Sequence, residues 1–456
     1  MRKTIRSRKL NRRDFMKLGG GVLAGAALTR LLPRTLGQSG LIAKADNYSQ
    51  VAPAPANLHL VGTDGWIYLP GEVPIPGTIN QFYQPDDFAP DLLTTYMFGF
   101  RDVTGLSDEL VFDQKMKCQA TAPLFWVDEG EEYRVKLTNV GLQMRPDLID
   151  EHTLHWHGFR NAWPIFDGEP HSSVRIPIGR SLTMFYQPFH PGTYMYHCHV
   201  EETEHVHMGM TGSVFVRPAQ DKGGAIQAAN GKWYSRFAYN CGDGSTGFDR
   251  EFVLNLTDVW AEAHWADSHV QLPDWTDFNA DYYLLNGRVF PDTIAPNGLG
   301  LDTNTGILQP PPGRPELQYQ PLSSLIECNE GDRVLLRLIN LTFGQHAMTL
   351  PGLKMRVVGK DATHLRGSDG TDFSYDTHTI YLGTGATVDA IFTAPEGLTY
   401  ESGEAYKTFL FYNRNFNRLS NAGGQGYGGQ MTEIRVYPAG TLLPQENPNT
   451  NPHPAV

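Results

Sequence analysis

Residues 127–139 and 328–340 are two copies of one pattern. Each opens on a Glu-Gly pair (Glu129-Gly130, Glu330-Gly331), continues through polar residues, and becomes a run in which apolar residues partly alternate, ending on Asn139 or Asn340. The likeness extends further. His152 precedes Gly158 as His346 precedes Gly352, 192–196 aligns with 407–411, and 209–218 aligns with 429–438. A glycine turn feeding a strand, repeated without any long 3.6-residue period, restricts the chain to an internally duplicated antiparallel β-sandwich. The fold class expected is all-β, with tandem Greek-key sandwiches over residues 50–220 and 249–440, a Gly-rich connection between them, and a Pro/Asn-rich tail over 441–456. The 456 residues suffice for two such domains.

The first 45 residues differ in kind. Asn11-Arg12-Arg13-Asp14-Phe15-Met16-Lys17 precedes a short apolar stretch over 18–32, and Ala43-Lys44-Ala45 offers a small-residue cleavage site, which together predict a twin-arginine signal peptide and a periplasmic or extracellular location. That segment holds eleven of the 37 basic residues and one of the 49 acidic ones, so its removal leaves net −22. Such a surface repels nucleic acid and anionic membranes and attracts cations. No later apolar run is long enough to span a bilayer. Besides Cys198, the cysteines are Cys118, Cys241 and Cys328, which permit at most one intramolecular disulfide.

His197-Cys198-His199 lies 40 residues after His155-Trp156-His157-Gly158. A thiolate with imidazoles suits copper or zinc, but on an extended segment the Cys and its flanking His point to opposite faces, so they cannot share one tetrahedral zinc. Cys198 therefore serves one metal, and His197 and His199 serve another together with His155 and His157. A blue-copper site needs two imidazoles, a thiolate and a weak axial ligand. His152, His205 and Met210 are the candidates to join Cys198, with His207 as a rival for the second imidazole. Trp156 and Tyr196 are expected to pack the walls. Glu201, Glu202 and Glu204 form either a solvated turn or a docking patch for a cationic substrate.

The second copy lacks these groups. Thr349 and Pro351 stand opposite His155 and His157, and Tyr412, Asn413 and Arg414 stand opposite His197, Cys198 and His199. His346 survives alone, as a lone structural histidine or as a ligand to a neighbouring subunit's copper.

With Phe166-Asp167-Gly168-Glu169-Pro170, Arg175-Ile176-Pro177-Ile178-Gly179 and Gly192-Thr193-Tyr194-Met195-Tyr196, these motifs make the chain resemble the multicopper oxidases, in family order over nearly all of the mature sequence. The resemblance implies cupredoxin-like domains and copper as cofactor. It implies a type 1 copper on His152, Cys198, His205 and Met210 that takes electrons from a small-molecule or metal-ion reductant. It further implies that His155, His157, His197 and His199 are the catalytic half of a cluster reducing dioxygen. The family's cluster uses eight His, and in its two-domain members a neighbouring subunit supplies the missing half, usually in a homotrimer. Copy two has no H-x-H unit to supply. Two other readings therefore stand beside the oxidase: a periplasmic blue-copper electron-transfer or copper-handling protein, and a copper nitrite reductase. The last has His155 where its acid/base Asp would fall.

Overall fold

The computed structural model describes residues 55–71, 86–91 and 93–454, so the expected export signal lies outside the described residues. In the first half, β1 (Leu58–Tyr68), β2 (Thr94–Asp102), β4 (Tyr133–Gly141) and β6 (Ser181–Tyr186) form a sheet in the order β2-β1-β4-β6. Facing it, β3 (Ala122–Asp128), β5 (His155–His157), β7 (Gly192–His197) and β8 (Thr211–Arg217) are ordered β3-β8-β7-β5. The connection carries a small hairpin of β9 (Ile226–Gln227) and β10 (Trp233–Tyr234).

The second half repeats the plan. Its first sheet begins β12-β11-β16-β22, from β11 (Arg250–Val259), β12 (Tyr282–Leu285), β16 (Arg333–Asn340) and β22 (Thr387–Thr393). The hairpin β13 (Gly300–Asp302) and β14 (Ile307–Gln309) follows β12 in the chain. The other sheet runs β15-β24-β23-β17-β21, from β15 (Ile326–Asn329), β17 (His346–Thr349), β21 (Thr379–Leu382), β23 (Lys407–Asn413) and β24 (Met431–Tyr437). Equivalent strands pair in equivalent directions: β1 with β4 and β11 with β16 are parallel, as are β3 with β8 and β15 with β24. The two Glu-Gly turns reach positive φ at Gly130 (80°) and Gly331 (76°), a conformation that glycine adopts without strain. The expectation of an all-β chain with tandem sandwiches is met, but the sheets are mixed and not antiparallel throughout, because these four pairings run parallel.

Each sandwich is closed by its own apolar core. In the first, the fully buried Trp156 stacks on Tyr186 at 4.3 Å and meets Phe125 edge-on. Trp156 and Tyr196 are thus wall residues, as expected. The outer face of the β7/β8 sheet is not left to solvent, because Met195 and Phe215 pack on Val253, Ile339 and Leu341 of the second half. Beside them Arg337 is fully buried between Glu251 (3.1 Å) and Asp389 (3.5 Å), and Asp389 also accepts from Thr193 and Tyr239. Buried charges are tolerated only when paired in this way, since an unpaired one costs several kcal/mol.

The residues after 440 do not hang free: Gln445 and Asn449 hydrogen-bond the backbone of Glu251 and Val253 along β11. The described residues form one compact unit. All four cysteines are buried and unbonded. Among the described residues no helix is long and apolar enough to cross a membrane.

Candidate metal centre

The antiparallel pairing of β5 with β7 puts His155 opposite His197. Strand alternation then places His155, His157, His197 and His199 on one face, and Cys198 on the other, inside the sandwich. Five of the six pairs of imidazole ring centroids in the quartet lie 5.0–5.7 Å apart, and ligand atoms of His155, His157 and His197 all fall within 4.8 Å of one another.

Hydrogen bonds fix which nitrogen is free. His155 Nδ1 donates to the Asp167 carbonyl (2.6 Å), His197 Nδ1 to the Cys198 carbonyl (2.8 Å), and His199 Nδ1 to the Glu202 carboxylate (2.9 Å), leaving each Nε2 with its lone pair. His157 Nδ1 meets His197 Nε2 at 3.3 Å. Burial, reinforced by neighbouring imidazoles, lowers the His155, His157 and His197 pKa values, that of His197 to about 3. Neutral imidazoles with converging lone pairs are metal ligands in waiting. Gly168 enables this: its φ is +84°, and a Cβ there would stand 2.6 Å from the Leu154 carbonyl and 2.7 Å from His155 N, so only glycine lets the Asp167 segment approach β5.

On the inner face Cys198 is fully buried with His152, His205 and Met210. His152 Nδ1 lies 3.9 Å from Cys198 Sγ, and His205 Nδ1 3.3 Å. Met210 is tied to both neighbours by backbone, its carbonyl accepting from Cys198 N (3.1 Å) and its N–H donating to His205 O (2.9 Å). Gly62 leaves room for the His152 ring, since a Cβ there would come within 2.6 Å of Cδ2.

Burial alone would raise the Cys198 pKa, but the His205 and His152 imidazoles outweigh it and hold the thiol well below its ordinary range. His205 shows the reciprocal effect: burial opposes its charge, yet Cys198 and Asp150 push it up to about 10. The site thus favours a thiolate facing a cation. One soft thiolate and two imidazoles in a buried cluster, with Met210 bonded by its backbone to Cys198 and His205, fit copper.

His207 is not part of this pocket. It lies on α2 (Glu202–His207; α1 is Asp108–Phe112 and α3 Ala261–Ser268) two residues past His205, and its Nε2 accepts from Trp260 N (3.2 Å) beside the ring of His264. We expect His205→Gln to lose the blue absorption of copper-loaded protein and His207→Gln to keep it; the opposite result in visible spectra would reverse the assignment.

The three glutamates separate. Glu204 is buried against Arg145 and near Asp267, Glu202 is engaged by His199, and only Glu201 is left beside an open groove. That groove, about 480 Å³, is lined by Ile149, Asp150, Glu151, Arg175, Val200 and Glu201 among others. Asp150 Oδ2 accepts from His205 Nε2 (3.2 Å) and so connects groove to pocket. Asp150 and the Asp167 carbonyl carry no ligand signature in the sequence because they act on ligands, although Asp167 lies in the Phe166–Pro170 motif.

His346 is a satisfied buried histidine. Its Nε2 bonds Thr342 Oγ1 (2.6 Å), and its Nδ1 lies 2.7 Å from both Gln430 Oε1 and Asn413 Nδ2, either of which satisfies it. In the repeat these positions answer to those around Cys198: His346 to His152, Asn413 to Cys198, and Gln430 to Met210.

Two multicopper oxidase family models match residues 116–221 and 250–404, together more than half of the chain. The chain belongs to the multicopper oxidase family, whose domains imply copper cofactors. Over 104 residues it is 33% identical to Laccase 1 of Metarhizium acridum (strain CQMa 102); the match covers 22% of this chain and only 15% of that protein. Among solved structures, the blue copper oxidase of Nitrosomonas europaea aligns with a TM-score of 0.53 at 22% identity, over 83% of this chain and 85% of that one. A multicopper oxidase called mgLAC aligns with a TM-score of 0.52 at 21% identity, over 85% and 87%. These two share its fold.

Proposed function

We propose that the protein is a laccase-like oxidase that takes single electrons from a small reductant at the Cys198 pocket and passes them to dioxygen at the His155/His157/His197/His199 face. The observation that carries this reading is the shared segment His197-Cys198-His199, which joins the two ligand sets by single backbone steps. Copper held by His152, Cys198, His205 and Met210, and by the quartet, supplies reversible one-electron chemistry.

The chain's own groups do the rest. The groove beside Asp150 and Glu201 receives the reductant, and Asp150 both orients His205 and accepts a proton or hydrogen bond from a phenol, an amine or a hydrated cation docked there. The buried Cys198 pocket excludes water from the electron entry point. The Asp167 carbonyl and Glu202 hold the quartet's tautomers. Cupredoxin-like domains at 50–220 and 249–440 and export by the twin-arginine route belong to this proposal.

A homotrimer completes it. Leu410 and Tyr381 expose an apolar face on the β23/β21 sheet, whose first-half counterpart at Met195 is buried by the following sandwich, so a second copy can bury it likewise. The competing reading, a blue-copper electron carrier, is favoured by the missing second set of H-x-H units.

Copper analysis with visible and EPR spectra on reconstituted protein, together with its mass in solution, separates the two. At least two coppers per chain in a trimer are expected. A single blue copper per chain would overturn the oxidase reading.

A further inference from the structure

Between the halves runs a seam of polar groups without protein partners. On β8, Thr211 and Ser213 face the second half, on the same side as Phe215; on β11, Asn255 and Thr257 share a side with Val253. Phe215 packs with Val253 at one end, and Thr211 lines a small cavity with Thr257 and Asp258 at the other, so Ser213 and Asn255 lie opposite each other between them. Yet Thr211 Oγ1, Ser213 Oγ, both side-chain atoms of Asn255, and His207 Nδ1 at the cavity wall make no hydrogen bond within the protein, although each residue is at most 4% exposed.

A buried polar atom left unpaired costs about 1–3 kcal/mol, and this seam holds five. Native interiors avoid that cost with ordered water. The cavity at the Thr211 end leaves about 10 Å³ for the centre of a water molecule, enough for one. Its other lining groups include Asp258, whose Oδ1 lies 3.5 Å from His207 Nδ1.

The seam also leads somewhere. Thr211 pairs directly with His197 across the β7–β8 ladder, and Ser213 pairs with Met195, so the row of hydroxyls starts beside the quartet and on its face.

We propose that Thr211, Ser213 and Asn255 hold a file of ordered waters that carries protons between Asp258 and the His197 face. The inference rests on the oxidase reading. Reduction of one dioxygen to two waters consumes four electrons, which the reductant supplies through the Cys198 pocket, and four protons; of the quartet, His197 is the buried member, at 5% exposed, and it is the one beside the seam. The seam provides hydroxyls, an amide and a carboxylate for that transfer.

Two experiments test it. First, a crystal or neutron structure of the protein, with or without copper, should show at least two waters bridging Thr211, Ser213 and Asn255; a dry seam overturns the proposal. Second, Asn255→Leu replaces the unpartnered amide with an apolar group of similar size, and Ser213→Ala is a milder companion should the first fail to fold. In stopped flow, the variant should be reduced by the electron donor as fast as wild type, while reoxidation by dioxygen slows about tenfold and gains a larger solvent deuterium isotope effect. Unchanged reoxidation in a hydrated seam overturns the proton route and leaves the oxidase reading intact. Wild-type protein that dioxygen never reoxidises removes both, independently of what the water structure shows.

Discussion

Replacing Cys198 with serine abolishes the blue absorption and the oxidation of reductants together, leaving activity at the background of copper-free protein. Serine is nearly isosteric with cysteine, and its hydroxyl can hydrogen-bond the His152 and His205 nitrogens, so the sandwich should remain folded by circular dichroism. What is lost is the soft, ionised sulfur that the two imidazoles stabilise. A serine hydroxyl keeps its proton under the same conditions. Visible spectra of the copper-loaded variant decide the matter: an intense blue band would show that the thiolate ligand lies elsewhere.

The complementary change is His155→Ala. His155 stands on β5, apart from the Cys198 loop, and faces away from the inner pocket. The variant should therefore stay blue and be bleached by reductant at the wild-type rate, but its recolouring by dioxygen should slow by more than about a hundredfold, because even the outer partners of metal ligands are worth about 10- to 100-fold. Reoxidation within a factor of two of wild type would remove the quartet from the reaction.

Much of this architecture is legible in the chain because it is local. The glycine turns at Gly130 and Gly331, the alternation along β4 and the loss of ligands in the second copy are patterns over a dozen residues or fewer. His197-Cys198-His199 divides into two ligand sets by strand geometry alone. The choice between His205 and His207 is not local, because α2 turns one histidine inward and the other toward the second half. Burial of Glu204 depends on Arg145 and on Asp267 of α3, and the docking of residues after 440 depends on backbone groups of β11 beyond the reach of β12. Pairings across more than 50 residues leave no periodic trace in either partner. The hydration of the seam is invisible for the same reason: Ser213 and Asn255 are unremarkable until two sandwiches bring them together.

The pocket around His346 bears on the speed of electron exchange. There Asn413 and Gln430 occupy the places of Cys198 and Met210, and hydrogen bonds of 2.7–2.8 Å draw the three side chains together without any metal. The same strands therefore bring such groups into contact by themselves, in a half of the molecule with no copper ligands to require it. A ligand set positioned by its scaffold moves little when the ion it holds gains or loses an electron. In the oxidase proposed above, the rearrangement barrier would then be low, and the sandwich as well as the bonds to copper would set how fast the centre cycles.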